Sequence, residues 1–478
     1  MSETTAASQF HEAPDVRAAV DTIVSRLEMV QKGIDSARPP REASVETLDG
    51  WIARSTATKG RGPIFPYVGS GIGRGPLVEL LDGSVKWDLI NGIGVHMFGH
   101  SDPGMVRAAI EASLGDVAME GNLQFNAESI AFAELLLEEA NRGSSLSHAF
   151  ITNSGAMANE SGLKVCQQKT GGRPRVLAFE HCFMGRSTTM AQIGDSAGGR
   201  VGIPLNTHVD YMPFYDPNLG ARSIEMAVWH LEQYLRRYPD QHSCFIFELV
   251  QGEGGFNVAP REFFLPLMQR CREVGIPVWD DEVQTFGRNT EMFYYDVLDL
   301  GEYVDVVAFG KMSQACGCLF TEALAPRPGL LSGTFIGSST AFSVGRAALN
   351  RLRQGGYYGP TGRIAEMHAA FRTHASALVD RRPEWFPEVI DDFGRPLADM
   401  VGGTGGMCRL TPFGGRKDAM VKLLDVMFEE GVIAFYCGHG PFHLRFLPPV
   451  GVMEPQHFEP VFEIVERAMA RVADVIDS

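Results

Sequence analysis

The spacing of hydrophobic positions changes several times along the chain, and each change marks a different kind of element. Residues 15–57 carry apolar side chains at helical spacing, first in DVRAAVDTIVSRLEMVQKGI and, beyond the Pro39-Pro40 break, in SVETLDGWIARS. From VELLDGSVKWDLINGIG onward the period shortens to that of strands around an Asp82-Gly83 turn, which predicts a small hairpin. HSDPGMVRAAIEASL then reads as a helix with Ser101 or Asp102 as its cap and Pro103 in its first turn.

The middle of the chain alternates short apolar runs with amphipathic stretches. Residues 148–152, 175–180, 208–214, 243–250, 276–283 and 304–310 read as strands, with helices such as NESGLKVCQQKT and REFFLPLMQRCREVG between several of them. This alternation predicts an α/β fold: a large domain with a mainly parallel sheet between layers of helices. After about residue 345 the texture becomes that of a smaller α+β unit, ending in IAFYC, HLRFLPP and a final amphipathic helix. The expected division is an N-terminal segment, 1–95, that packs with the small domain, a large domain, 96–345, and a small C-terminal domain, 346–478. At 478 residues, more than one domain is expected on size alone.

Charge and cysteine content narrow the function. A formal net charge of −16 argues against general affinity for nucleic acid or anionic membranes. No stretch approaches the ~18 apolar residues of a membrane span, and MSETTAASQFHEAPDVR has no apolar signal core, so a cytoplasmic protein is expected. The cysteines at 166, 182, 244, 271, 316, 318, 408 and 437 form no C-x-x-C pair; they read as buried thiols, and no metal site is expected.

Ligands of parallel sheets bind at the carboxyl ends of strands, and the residues there are unusual. Asn153-Ser154-Gly155-Ala156 follows the first strand and opens a helix, which makes either an anion site or an ordinary capped turn. HCFMGRS brings Phe183 and Arg186 onto one loop, either as site residues or as core and surface. LVQGEGG (249–255) follows CFIFE, and three successive acids, Asp280-Asp281-Glu282, end the next strand. Adjacent carboxylates repel one another unless cations or protons lie nearby. Lys311 stands at the lip of the apolar run VDVVAFG, where a lysine must snorkel, pair with an acid or serve as something other than a cation. Each part alone is weak. Together they suit pyridoxal phosphate, which needs a lysine for its Schiff base, an acid at its pyridinium nitrogen and an anion site for its phosphate.

These residues resemble the class III (omega) aminotransferases, pyridoxal-phosphate enzymes of fold type I, over roughly residues 60–470. The resemblance is densest in N-S-G-A-M-A-N-E (153–160), F-M-G-R (183–186), E-L-V-Q-G-E-G-G (248–255), D-E-V-Q-T (281–285), F-G-K (309–311), G-T-F (333–335) and L-R-F-L-P-P (444–449). It implies a seven-stranded-type sheet and an aminotransferase working by a ping-pong mechanism through an internal aldimine on Lys311. Asp281 would pair with the pyridinium nitrogen. Phe183 and Val283 would cover the two faces of the ring, and Gln284 would meet its phenolic oxygen. Ser154, Gly155 and Ala156 would hold the phosphate, with Thr334 donated by the other subunit of a homodimer. Arg186 and Arg445 resemble the family's carboxylate-binding pair, and Glu253 the acid that neutralises the second arginine when the donor presents a terminal amine.

AFGKMSQACG is most similar to the lysine 6-aminotransferase, 4-aminobutyrate and ornithine branches. The implied partners are small molecules: the terminal amine of lysine, ornithine, acetylornithine or 4-aminobutyrate, and a 2-oxo acid acceptor such as 2-oxoglutarate. The chain departs from the family pattern at Met184, where histidine is usual, in the shorter D-E-V-Q-T-F-G-R, and in I-G-S-S after Thr334. A racemase, aminomutase or decarboxylase on the same scaffold is the main alternative, and a non-catalytic scaffold another. A nicotinamide oxidoreductase would need a G-x-G-x-x-G that G-S-G-I-G-R-G (69–75) does not supply.

Overall fold

In the computed structural model, residues 5–476 are described except 117, 118, 122 and 391–393. The middle of the chain forms one seven-stranded sheet from β1 (Leu146–Thr152), β2 (Arg175–Phe179), β3 (His208–Met212), β4 (His242–Phe247), β5 (Val278–Asp281), β6 (Val306–Phe309) and β7 (Cys316–Thr321). Their order across the sheet is β1-β7-β6-β5-β4-β2-β3. β7 alone runs against its neighbours, pairing antiparallel with both β6 and β1. Six of the strands were expected from the sequence. The seventh was not: Cys316-Gly317-Cys318 lacks the branched residues that announce a strand. Three of the expected runs also stop two or more residues short, at Met212, Phe247 and Asp281.

Side chains alternate between two buried layers. Val176, Ala178, Cys244, Ile246, Trp279 and Val306 join one apolar cluster, beneath the helix α1 (Gly155–Lys169). Leu177, Phe179, Phe245, Phe247, Val278 and Val307 join the other. Because successive residues of a strand face opposite ways, Asp281 shares the face of Trp279 and Asp280 the opposite one. A Cβ on Gly162 would lie 2.6 Å from the Trp279 ring, so α1 rests directly on β5.

The C-terminal part builds a four-stranded antiparallel sheet, in the order β8 (Val401–Thr404), β9 (Met407–Leu410), β11 (His443–Phe446) and β10 (Phe435–Cys437). Helices Lys417–Glu430 and Phe458–Ile476 pack against each other beside it. Near the N-terminus, helices Pro14–Gln31 and Val45–Lys59 precede strands 69–74, 77–80 and 85–88. The last of these pairs in parallel with Val432–Ile433, so the first part of the chain completes a sheet with the last. Asp102 caps the Pro103–Ser113 helix, accepting from Gly104 N and Met105 N. All eight cysteines are free thiols, and only Cys316 is not buried. Among the described residues no helix is long and apolar enough to cross a membrane.

Candidate active site

The carboxyl ends of β1, β2, β4, β5 and β6 converge, and Lys311 sits among them. It begins a short turn, Lys311–Ser313, at φ 54°, a backbone conformation that side chains other than glycine rarely adopt. Burial pushes its ammonium down to about 8. Glu253 opposes that shift most, Arg445 adds to it, and Asp281 and Glu248 oppose it more weakly. Lys311 thus lies within electrostatic reach of three acids and one arginine.

Asp281, 6% exposed, is held from two sides. Its Oδ2 accepts from Asn159 Nδ2 at 2.6 Å and its Oδ1 from Val283 N at 2.9 Å. Burial raises its pKa, while these two donors and Lys311 pull the other way. Asn159 comes from α1 and also donates to the Met184 carbonyl at 2.8 Å, tying helix, strand and the 183–186 loop together. Glu248, at the end of β4, accepts from Phe183 N at 2.8 Å and Gly252 N at 2.9 Å. Burial and then Asp281 lift its carboxyl to about 8. Neither Asn159 nor Glu248 was singled out from the sequence. Both lie inside quoted motifs, but their roles depend on contacts between distant segments.

The three successive acids separate by face. Asp280 is fully buried opposite Asp281, and burial followed by the Glu282 charge pushes it far above the carboxylate range. Held protonated, it can donate to Glu282, whose own carboxyl burial lifts to about 7. Glu282 also accepts from Tyr294 N, Tyr295 N and Thr285 Oγ1. A proton on Asp280 reconciles these neighbours.

Val283 lies between the start of α1 and the Lys311 turn. A Cβ on Gly155 would approach Val283 Cγ1 to 2.8 Å, and one on Gly310 would approach it to 3.3 Å and Cys316 Sγ to 2.8 Å. Ser154 caps α1 by accepting from Met157 N at 3.3 Å, and the first amides of a helix have no partner within it. Ala156 packs on Gly185, whose φ of 122° lets the 183–186 loop close over α1. The Arg186 guanidinium lies 5.4 Å from the centre of the Phe183 ring, with Arg186 itself exposed. Gln284 is buried against Gly252, and its Oε1 has no hydrogen-bond partner.

Arg445, on β11, is fully buried, and its Nη1 donates to Glu253 Oε1 at 2.5 Å. Its Nε and Nη2 have no hydrogen-bond partner, and the rings of Phe256 and Phe435 lie 5.9 and 5.5 Å from its guanidinium carbon. Burial raises the Glu253 pKa, but Arg445, then Lys311 and Arg186, more than reverse this, so Glu253 stays ionised. Thr334 is exposed, with its carbonyl oxygen against Gly121.

The sequence profile described as "Aminotransferase class-III" matches residues 66–469, most of the chain. The protein belongs to the class III aminotransferases. This aminotransferase is 26% identical over 414 residues to the 2-aminoadipate transaminase of Pseudomonas putida, covering 84% of this chain and 95% of that one. It is 30% identical over 322 residues to the acetylornithine aminotransferase of Myxococcus xanthus, covering 65% and 75%. Its fold matches lysine aminotransferase from M. tuberculosis in the internal aldimine form, with a TM-score of 0.76, 21% identity, and coverage of 88% and 99%. Ornithine aminotransferase from Toxoplasma gondii matches with a TM-score of 0.74 at 18% identity, covering 89% and 96%.

Class III aminotransferases depend on pyridoxal phosphate, and the residues of this aminotransferase fit it. The two glycines leave room beside Val283 that side chains would fill, and Gln284 keeps a buried polar atom without a partner. Asp281 is a carboxylate without a cation bonded to it, and Lys311 an amine held away from full protonation.

Proposed function

We propose that this pyridoxal-phosphate aminotransferase takes the terminal amino group of a donor such as lysine, ornithine, acetylornithine or 4-aminobutyrate and passes it to a 2-oxo acid, 2-oxoglutarate, in two half-reactions at one site. The observation that carries this reading is the Glu253–Arg445 pair at 2.5 Å. A fully buried arginine is costly without a counter-charge. A donor reacting through a terminal amine brings no carboxylate next to the reacting carbon, so Glu253 must neutralise Arg445 while that donor is bound. 2-Oxoglutarate brings its own carboxylate to that position, and Glu253 then gives way. Arg186 holds the distant carboxylate of either substrate.

Pyridoxal phosphate supplies the carbonyl that takes up the amino group and a ring that accepts electrons from the substrate carbon. Phe183 and Val283 keep that ring flat between them, the start of α1 holds the phosphate, and Gln284 meets the phenolic oxygen. Asp281, steadied by Asn159, keeps the ring nitrogen protonated. Lys311 Nζ holds the cofactor at rest and then carries the proton to and from the substrate carbon. In this reading Thr334 completes the phosphate site of the partner subunit in a homodimer. The names of the relatives, which include lysine, ornithine and acetylornithine aminotransferases, support the donor class.

A donor panel tests this: lysine, ornithine, acetylornithine, 4-aminobutyrate and 2-aminoadipate, each with 2-oxoglutarate and with pyruvate. Parallel double-reciprocal plots and a preference for a terminal amine are expected, with Glu253→Ala shifting preference toward α-amino donors. Turnover without any keto acid would sink the transamination reading.

A further inference from the structure

A carboxylate that leaves a buried arginine must find another partner, because an unpaired buried charge is strongly disfavoured. Arg445 bonds to Glu253, and Lys311, Arg186 and His439 lie within its electrostatic reach. When a dicarboxylate occupies the resting holoenzyme, the two arginines are engaged by that ligand and Lys311 by the cofactor. His439 is left.

Its placement suits the task. Gly438 N donates to the Glu253 carbonyl at 2.9 Å, so the loop carrying His439 is bonded to the backbone of Glu253 itself. The His439 ring stacks on His181, with centroids 5.4 Å apart and 23° between planes. His181 is fixed by its own N–H, which donates to Asp195 Oδ2 at 2.9 Å, and by its carbonyl, 2.7 Å from where a Cβ on Gly254 would stand. His439 Nε2 is buried and has no hydrogen-bond partner among the described residues. The charged groups facing the ring are His181, Asp195 and Glu253; burial and then His181 lower its pKa, against the pull of the two acids, which favours a neutral ring. A neutral imidazole with its proton on Nε2 is a hydrogen-bond donor for a carboxylate.

We propose that His439 receives the Glu253 carboxylate when that carboxylate leaves Arg445, and so lowers the cost of opening the site to a dicarboxylate. This rests on the reading of Glu253 as a gate. His439 is a positioning residue: it touches neither substrate nor cofactor, and acts through Glu253.

The test is calorimetric binding of glutarate, a dicarboxylate that cannot react, to the holoenzyme. Glu253→Ala should tighten binding, because Arg445 is then open at no cost. His439→Phe should weaken binding about tenfold, the loss of one hydrogen bond to a charged group. His439→Gln, which carries an N–H near the Nε2 position, should restore it, and His439→Asn, too short to do so, should not. In the Glu253→Ala background His439→Phe should change nothing. If Glu253→Ala leaves glutarate binding unchanged, the gate falls and the proposal with it. If Glu253→Ala tightens binding but His439→Phe has no effect, or the same effect with and without Glu253, the gate stands and the role of His439 is overturned. Should the Phe variant not fold, the contrast between Gln and Asn decides the same question.

Discussion

An amine at the end of an apolar strand titrates where the strand lets it. With burial holding Lys311 down to about 8, against 10.5 for a free lysine, its neutral form is already dominant above pH 8. The sign follows: capture of pyridoxal phosphate by the cofactor-free protein should accelerate about tenfold per pH unit on approaching 8 and then level off. Stopped-flow absorbance measures this, with Lys311→Ala as the blank; a rate still climbing toward pH 10 would show an unshifted lysine. Asn159 permits a second prediction. Its hydrogen bond pulls the Asp281 pKa down against burial. Asn159→Leu should therefore move the acid limb of the kcat/KM profile to higher pH and lower kcat about tenfold, as expected for one charge-assisted bond. An unchanged acid limb would show that Asp281 is set by its surroundings without Asn159. Lys311 and Asp281 were legible because each stands at the end of a strand that the sequence announces. Asn159 and Glu248 were not, because their partners come from segments that no local pattern connects.

Among the elements, the strands that sequence patterning finds are the apolar runs set between amphipathic helical stretches. β7 carries a glycine between two cysteines, and Gly317 has no alternative there: a Cβ would lie 2.5 Å from the Phe150 carbonyl and 2.8 Å from the Phe309 ring. Close approach of the neighbouring strands, rather than strand propensity, decides its sequence, so a reading by propensity passes over it. The same reasoning applies at the start of α1. Gly155→Ala would press on Val283 at 2.8 Å, and either the helix or the valine must shift. Equilibrium dialysis should find pyridoxal phosphate bound about tenfold more weakly in this variant, the scale of roughly 1–3 kcal/mol set by overpacking. The alanine change at Gly198, where a Cβ meets nothing within 4 Å, serves as the control.

For the molecule as a whole, the proposed sharing of the phosphate site between two subunits predicts complementation. Lys311→Ala and a Thr334 variant that lacks activity, expressed with different affinity tags, should each be inactive as homodimers. The purified mixed dimer should regain one intact site, with Lys311 from one chain and Thr334 from the other. A mixed species without activity would place Thr334 outside the partner's site.

The order of the large sheet has a kinetic consequence. Thr152, the last residue of β1, is the sheet neighbour of Cys316, the first of β7, so the segment before α1 meets the segment after Lys311 only when most of the domain has been gathered between them. Contacts of such high sequence separation form late in folding, since the loop they close must be ordered first. By contrast, β6 and β7 are consecutive and antiparallel, a local pair that can form early with the lysine already at its bend. The turn carrying Lys311 is thus expected to form before β1 and the start of α1 are brought against it. Retention of pyridoxal phosphate would then report completed folding, because the lysine alone is only one of the points at which the cofactor is proposed to be held.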